Sequence, residues 1–312
     1  MELFKKSEVT ILKESSYNRV YLEKLEGLLI KANGDVKDKI QKECAIAKAG
    51  IIGEDNILFE LKNSNIDMVV LHDIYIETAD GRSAQIDFVV VTSKITFIIE
   101  CKNLYGNIEI DSKGNFIRVM EYGGKKHKEG IYSPITQNER HMTILKECNA
   151  ENKSVLQAAL IRKYFNDFNK SLVVLANPKT ILNDRYAKKE IKEQILRADQ
   201  LIKVMKEMIS KSKEIASSRK DMLKTAENIL RLNKDMSNDY ITKYEELVSN
   251  MQNTVTTQEN EMQEAKAKLE TMVCQRCGAP LVLRTAKKGD KAGNQFYGCS
   301  NYPKCRFIKN IE

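Results

Sequence analysis

The sequence has no apolar run near the ~20 residues that a membrane-spanning helix needs. Its first residues, MELFKKSEVTILKESS, contain no apolar segment of signal-peptide length. Because both features are missing, we expect a cytoplasmic protein that binds no membrane. An excess of acidic residues is also missing. The formal net charge is +8, which favours a polyanionic partner.

Glycine and proline are absent from the segment between positions 179 and 277, which is rich in Lys, Glu, Ile, Leu, Met and Ala. This composition predicts long helix. Apolar residues recur there every seven positions in two sets that are out of register with each other. The sets are Ile195, Ile202 and Ile209, and Met222, Ile229 and Met236. Two interpretations stay open: a helical arm between two domains, and a coiled coil that forms a homo-oligomer.

The seven cysteines divide into a scattered group and a terminal group. Cys44, Cys101 and Cys148 lie in apolar or helical settings and are expected to be small buried hydrophobic residues. The other four form the pairs CQRC and CSNYPKC, which are separated by 21 residues. These are Cys274, Cys277, Cys299 and Cys305. Four thiolates at such spacing predict a closed tetrahedral zinc site with a structural role. Two disulfides are the alternative, which a reducing compartment disfavours.

The segment from position 274 to 312 holds eight Lys and Arg residues against two acidic ones. Aromatic residues are interleaved with them, a pattern that suits the stacked bases and phosphates of a single-stranded nucleic acid. The candidate nucleic-acid-binding residues are Arg284, Lys287, Lys288, Phe296, Tyr297, Tyr302, Lys304 and Arg306. A small domain also needs aromatic residues for its core, so we expect only one or two exposed rings.

The segment AQIDFVVVTSKITFIIECKN, residues 84–103, predicts two strands joined by a short turn at 92–95. In a hairpin with a two- or four-residue loop, opposed positions sum to 187, which pairs Asp87 with Glu100 and Gln85 with Lys102. These four polar residues then share one face, and apolar pairs occupy the other face. The predicted apolar pairs are Ile86 with Cys101, Phe88 with Ile99, and Val90 with Phe97.

Two opposed carboxylates repel each other unless a cation lies between them. Asp87 and Glu100 therefore predict a Mg²⁺ or Mn²⁺ site, and Lys102 would lie near a scissile phosphate or an attacking water. A purely structural ion-pair network of Lys102 with Glu100 remains an equal alternative.

The segment before this hairpin predicts two amphipathic helices over residues 14–49, separated at Asn33 and Gly34. A second glycine-centred break, KAGIIGED, predicts a new helix with Glu54 in its first turn, where the helix dipole alone would favour a carboxylate. Strands are expected at 68–77, near Ile108 and Phe116, and at 172–176, with a helix from Pro134.

At these residues the chain resembles the NERD (nuclease-related) domain. The blocks GIIGE, VLHDI, AQID, FIIECKN and YSPITQNERH occur in that family's order. The resemblance implies the PD-(D/E)xK nuclease superfamily, with Asp87, Glu100 and Lys102 as its motif. It also assigns Glu54 to the metal site and Gln85 and Gln137 to supporting positions. The chain departs from many members at Phe88, where they have His, and in the glycine-free turn.

The cysteine-rich end, CQRCGAPLVLRTAKKGDKAGNQFYGCSNYPKC, resembles the four-cysteine zinc finger at the C-terminus of bacterial topoisomerases. The resemblance implies a DNA-binding module. No topoisomerase catalytic segment accompanies it, so topoisomerase activity is not expected.

The sequence thus predicts an α/β protein with a restriction-endonuclease-like mixed sheet flanked by helices, followed by a long helical region and a small zinc-ribbon-like domain. The expected divisions are an N-terminal helical region at 1–49, the nuclease-like domain at 50–178, the arm or coiled coil at 179–272, and the zinc finger at 273–312. The expected function is metal-dependent DNA cleavage. The alternatives are an inactive DNA-binding or scaffolding protein and, less favoured, a nuclease that acts on RNA.

Overall fold

The structure is a computed structural model that describes residues 7–14, 16–236, 240–253, 263, 272–289 and 292–311. These residues form two compact units, Met1–Tyr244 and Glu245–Glu312. Within the described part of the chain, no helix is both long and apolar enough to cross a bilayer.

The first unit contains two sheets. Its strands are β1 (Val9–Lys13), β2 (Met68–Glu77), β3 (Ser83–Thr92), β4 (Thr96–Lys102), β5 (Asn107–Ile110), β6 (Phe116–Tyr122), β7 (Lys125–Ile131), β8 (Asn169–Leu175), β9 (Leu182–Asn183) and β10 (Ile195–Arg197). The main sheet has the order β1-β2-β3-β4-β8-β10, and a smaller sheet has the order β7-β6-β5-β9. The β2-β3 and β3-β4 pairs are antiparallel, whereas the β1-β2, β4-β8 and β8-β10 pairs are parallel.

Helices cover both faces of the main sheet. The helices of the first unit are α1 (Tyr17–Lys31), α2 (Gly34–Lys62), α3 (Pro134–Ala150), α4 (Val155–Phe168), α5 (Lys189–Lys192), α6 (Leu201–Lys211) and α7 (Arg219–Leu230). A further helical segment lies at residues 242–253. On one face, α2 and α6 pack against a core that includes Phe88 and Phe97. On the other face, α3, α4 and α7 pack against Val89 and Ile98. This three-layer arrangement confirms the predicted mixed α/β architecture.

The β3-β4 hairpin has the predicted register from Phe88 to the turn, but its ladder does not include the predicted pairs Ile86–Cys101, Asp87–Glu100 and Gln85–Lys102. Phe88 pairs with Ile99 and Val90 with Phe97, so opposed positions sum to 187. The turn needs no glycine because the Thr92 side chain stabilises it. Its hydroxyl donates to the Ile95 carbonyl at 2.7 Å and accepts from the Ile95 N–H at 3.2 Å.

The strict alternation of faces, in contrast, is interrupted beside Asp87. Ile86 packs in the core of Val89 and Ile98, not in that of Phe88 as strict alternation predicts. The cause lies partly in the neighbouring strand. Asp73 of β2 has a left-handed φ of 58°, and the β2-β3 ladder runs from the His72–Phe88 pair directly to the Ile74–Ile86 pair. The register is the same on both sides, so no residue is inserted, and Asp73 and Asp87 leave the ladder together next to the Phe88–Ile99 pair that ends the β3-β4 ladder.

Helix α2 is continuous through the segment KAGIIGED, where a break was expected. Gly53 serves close packing instead. A Cβ at this position would lie 2.7 Å from Asn103 Cβ and 3.0 Å from Cys101 Sγ, so only glycine lets α2 approach the end of β4. Glu54 therefore lies deep inside a helix of 29 residues, and the dipole of a first turn does not explain it.

The segment expected to be a helical arm folds largely into the first unit. Ile195 of β10 pairs with β8, and Met222 and Ile229 of α7 are buried in the core. The lack of glycine and proline permits helix but does not require it, and burial of short apolar runs overrides propensity. The rest of the predicted arm includes residues 254–262 and 264–271, which lie outside the described residues.

The second unit contains a three-stranded antiparallel sheet of β11 (Leu281–Thr285), β12 (Gln295–Cys299) and β13 (Ile308–Asn310). Its buried cluster consists of Cys274, Cys299 and Cys305, with Ala279, Leu281 and Phe307 packed around them. A sheet this small with a core of cysteines is consistent with the predicted zinc ribbon.

Candidate active site and zinc cluster

A polar cavity of about 400 Å³ opens where β3 and β4 separate. It brings together every residue predicted for the catalytic site. These are Glu54, Gln85, Asp87, Glu100, Lys102 and Gln137. Other elements add Asn18, His141, Met236 and Tyr240 to the lining.

Glu100 is the most buried carboxylate of this cavity, with 2% of its surface exposed. Its Oε1 atom accepts a hydrogen bond from Lys102 Nζ at 2.5 Å. Its Oε2 atom lies at ion-pair distance from His141 Nδ1, 3.3 Å away, and apart from this contact both atoms are buried without a hydrogen-bond partner. Two such atoms are costly in a folded protein, and they mark a place where an ion or water would bind.

The pKa values of Asp87 and Glu100 shift in opposite directions. Burial and the nearby Glu100 carboxylate raise the pKa of Asp87 well above its usual range, although the side chain retains some exposure. Burial also disfavours the charged form of Glu100, but contacts with His141 and Lys102 outweigh it and lower the pKa of Glu100. Asp87 Oδ2 accepts the Cys101 N–H at 2.7 Å, which fixes the orientation of its carboxyl group.

This donor set fits a divalent cation. A cation would favour ionised Asp87 and would give Glu100 Oε2 the partner that it lacks. Carboxylate oxygens suit Mg²⁺ and Mn²⁺, and an imidazole nitrogen such as His141 Nδ1 suits transition metals better than Mg²⁺. Lys102 keeps its charge beside these carboxylates. Burial opposes protonation, but Glu100 and Asp87 raise the pKa of the ammonium group.

Glu54 lies in a network that the sequence did not reveal. Its carboxylate accepts hydrogen bonds from Ser16 Oγ at 2.8 Å, from Asn18 Nδ2 at 2.6 Å and from His72 Nε2 at 3.0 Å. Burial opposes its ionisation, but His72 and Ser16 lower the pKa of Glu54. The His72 ring stacks on the Phe88 ring, with their centres 4.5 Å apart. Position 88 is where many members of the nuclease-related family have His, and here the imidazole comes from the neighbouring strand β2.

The two glutamines occupy different environments. Gln85 donates to Asp73 Oδ1 at 2.7 Å and so bridges the irregular stretch of β2 and β3. Gln137 is half-buried at the cavity, one helical turn before His141 on α3. Between them on the helix, the amide nitrogen of buried Asn138 shares its two hydrogens among the Ile98 carbonyl, Ser171 Oγ and the Leu172 carbonyl, at 2.8, 2.9 and 3.1 Å, which fixes α3 on the sheet.

Sequence reasoning missed His141, Asn138, His72 and the residues before α2. The spacing of Gln137 and His141 places them on one face of a helix, and this signal could have identified the histidine. No local pattern indicates that Ser16 and Asn18 reach Glu54, since they are separated from it by 38 and 36 positions.

In the second unit, one sulfur atom from each of Cys274, Cys277, Cys299 and Cys305 lies within 4.8 Å of the others. Cys274 and Cys305 have sulfurs 3.6 Å apart, and Cys277 and Cys299 have sulfurs 3.4 Å apart. These sulfur atoms are farther apart than the about 2.05 Å of a disulfide bond, so the structure contains no disulfide among the four cysteines. Tetrahedral zinc with Zn–S bonds of about 2.3 Å needs sulfurs about 3.8 Å apart, and the cluster fits it.

The basic and aromatic candidates of this unit include one clear surface pair. Arg284 lies 5.4 Å from the centre of the exposed Tyr302 ring and donates to the Cys299 carbonyl at 3.3 Å. Phe296 is only half-buried on the same sheet face as Arg284, since the two residues pair across β11 and β12. Tyr297 lies on the opposite face, and the remaining candidates are exposed. These are Lys287, Lys288, Lys304 and Arg306.

Comparisons with known proteins match one segment in each of the two units. The family model of the nuclease-related domain matches residues 49–176, and that of the topoisomerase DNA-binding C4 zinc finger matches residues 271–312. A DNA topoisomerase 1 from Methanocaldococcus jannaschii is 40% identical over 50 residues, which cover 16% of this chain but only 6% of that protein. No solved structure matches the chain significantly.

Proposed function

We propose that this protein is a divalent-metal-dependent DNA nuclease whose zinc finger binds DNA. The observation that carries the proposal is the pair of buried atoms without hydrogen-bond partners, Glu100 Oε2 and His141 Nδ1, beside Asp87 and Lys102 in one polar cavity. The match to a nuclease-related domain supports a nucleic acid as the substrate, and the match to a DNA-binding zinc finger supports DNA.

Asp87 and Glu100 would hold Mg²⁺ or Mn²⁺, with His141 as a further ligand. When bound, the metal would polarise a phosphoryl oxygen and lower the pKa of water. Lys102 would place its ammonium group near the charge that develops on the phosphate. Glu54 would position Asn18 and His72 around the cavity, and Gln85 and Gln137 would support the site through hydrogen bonds.

Cleavage of single-stranded and duplex DNA by the full chain tests this proposal. Removable divalent ions are first depleted, and Mg²⁺ or Mn²⁺ is then added back. We expect metal-dependent cleavage that Lys102→Ala and Glu100→Gln abolish. Lys128→Ala is the matched control, because this exposed lysine pairs with Glu109 on another sheet. Electron paramagnetic resonance of added Mn²⁺ gives a second readout, and Glu100→Gln should weaken Mn²⁺ binding. Cleavage unchanged by Lys102→Ala would disprove the assigned roles.

A binding-only protein is the second candidate. The short Lys102–Glu100 contact favours it, since a closed ion pair can be purely structural. Retained DNA binding without cleavage in any divalent ion would support this candidate. Faster cleavage of a matched RNA strand would instead identify RNA as the substrate.

A further inference from the structure

An exposed row of rings lies at the outer end of the small sheet in the first unit. The Tyr105 and Tyr122 rings stack with centres 5.9 Å apart, and His127 continues the row at 5.9 Å from Tyr122. More than half of the surface of each tyrosine is exposed, 58% and 53% respectively. We call these three residues the aromatic platform.

The β6-β7 hairpin positions this platform. Its register pairs Tyr122 with Lys125 and Met120 with His127, so these side chains share one face of the hairpin. At its inner end the same face continues into the core at Phe116. This face of the hairpin is therefore apolar next to the core of the first unit and aromatic at the exposed end of the hairpin.

Tyr105 joins the platform through a glycine. Gly106 has a φ of 98°, and a Cβ at this position would lie 2.6 Å from the Val119 carbonyl oxygen. Only glycine allows the chain to pass this close to β6. The contact brings the Tyr105 ring against Tyr122.

The platform has unneutralised positive charge beside it. Lys128 pairs with Glu109 and Arg118 pairs with Glu129, whereas in the described part of the chain no carboxylate lies within ion-pair distance of Lys125, which lies opposite Tyr122 on the platform face. Lys126 points to the other face, opposite Glu121, and does not belong to the platform. Exposed rings with an unpaired lysine match the two parts of a nucleotide, since bases stack on rings and phosphates attract ammonium groups. The centre of a protein interface is also rich in tyrosine, but it is depleted of lysine.

The platform is also close to the candidate active site. Tyr105 follows Lys102 by three residues, and three extended residues span at most about 11 Å. A strand with one phosphate at Lys102 would therefore reach the platform within a few nucleotides.

We propose that the aromatic platform binds unpaired bases of the DNA strand that enters the candidate active site. This inference rests on the proposed function, and it specifies the substrate as DNA with a single-stranded part. Bases stacked inside a duplex cannot lie on these rings, so an intact duplex should not bind there.

The absence of tryptophan from the chain gives a direct test. The variant Tyr122→Trp would contain the sole indole, whose fluorescence a stacked base quenches. The probes are a thymidine oligonucleotide, a blunt duplex and a uridine oligonucleotide, each added to the full chain without Mg²⁺ or Mn²⁺. Tyr164→Trp is the control, since Tyr164 is also exposed and has Lys163 at 4.9 Å from its ring.

We expect the thymidine oligonucleotide to quench Tyr122→Trp and to leave Tyr164→Trp unchanged. Adding Tyr105→Ala to Tyr122→Trp should raise the midpoint of quenching at least about 5-fold, the lower end of a stacking contribution. Replacing Lys125 with Gln should reduce the salt dependence, by about 0.7 in the slope of log affinity against log salt.

Absence of quenching in both Tyr122→Trp and Tyr105→Trp would overturn the inference, because the second variant tests the site independently. Equal quenching by the duplex, or stronger quenching by the uridine oligonucleotide, would also overturn it. The fluorescence measurement needs no cleavage, so it can succeed where the nuclease assay fails. Cleavage without quenching would reject the platform and leave the nuclease intact.

Discussion

In the first unit, polar side chains are held by a large apolar fold, whereas in the second unit the polar cluster is itself the core. Glu54 and Glu100 lie beside two extensive apolar cores on either face of a six-stranded sheet. Among the residues described for the zinc unit, three cysteines are buried with Ala279, Leu281 and Phe307 packed around them. The comparison indicates that the cavity of the first unit forms without help from a metal, whereas the fold of the second unit depends on its zinc.

The largest expected effect comes from removing zinc. A strong chelator, or Cys274→Ser, should unfold the second unit and leave the first folded, since structural zinc supplies about 10–16 kcal/mol in small domains. Amide hydrogen exchange measures both units in one sample, with β12 losing protection and β3 keeping it. Cys148→Ser is the control, because this buried cysteine lies outside the cluster and should preserve the zinc content. If β12 stays protected without zinc, the second unit does not depend on its metal, and the proposed difference between the two units is wrong.

The next largest effect should come from Glu54→Ala. It leaves the Ser16, Asn18 and His72 groups without their shared acceptor, and we expect a loss of about 3–5 kcal/mol in the free energy of unfolding of the first unit. Glu54→Gln keeps one carbonyl acceptor and should lose less. Denaturant unfolding followed by circular dichroism measures both variants. Losses that are equal for Ala and Gln would show that the hydrogen bonds do not stabilise the unit.

Asn138→Ala should destabilise the first unit by about 1–3 kcal/mol, because it removes the buried donor to two carbonyls and a hydroxyl. The control is Asn228→Ala on the exposed side of α7, which should stay within about 0.5 kcal/mol of the parent. The denaturant concentration at the midpoint of unfolding is measured for both variants and for the parent. A similar small change in both variants would mean that α3 does not need this anchor.

Two glycines should give effects of opposite sign. Gly53→Ala forces α2 away from Asn103 and Cys101 and should cost about 1–3 kcal/mol. Gly27→Ala in α1 meets no atom within 4 Å and should stabilise by about 0.5–1 kcal/mol through helix propensity. Thermal unfolding of the two variants beside the parent tests both signs. Stabilisation by Gly53→Ala would contradict the close approach of α2 to β4.

The hairpin register and the four zinc ligands could be predicted because both depend on short-range spacing. Asp87, Glu100 and Lys102 lie within 16 consecutive residues, and alternation within strands places them together. The interruption at Asp87 could not be predicted this way, since it involves a left-handed residue in another strand, Asp73.

The segment after position 178 shows the limit of composition. Ile195, Ile202 and Ile209 have the spacing of a helical seam, yet Ile195 belongs to a strand and the other two pack against the sheet core. Period alone cannot distinguish a free helical arm from residues that complete a sheet. Only long-range pairing with β8 decides the outcome.

The N-terminal strand and helix have a consequence for how the nuclease-like segment can be isolated. A fragment cut at 49 and 176 would lose β1 from one edge of the sheet and β10 from the other, together with α6 and α7. Two newly unpaired strand edges and bare apolar faces favour aggregation. The matched range 49–176 is therefore shorter than the segment that folds, and an autonomous fragment should extend at least from residue 7 to about residue 244.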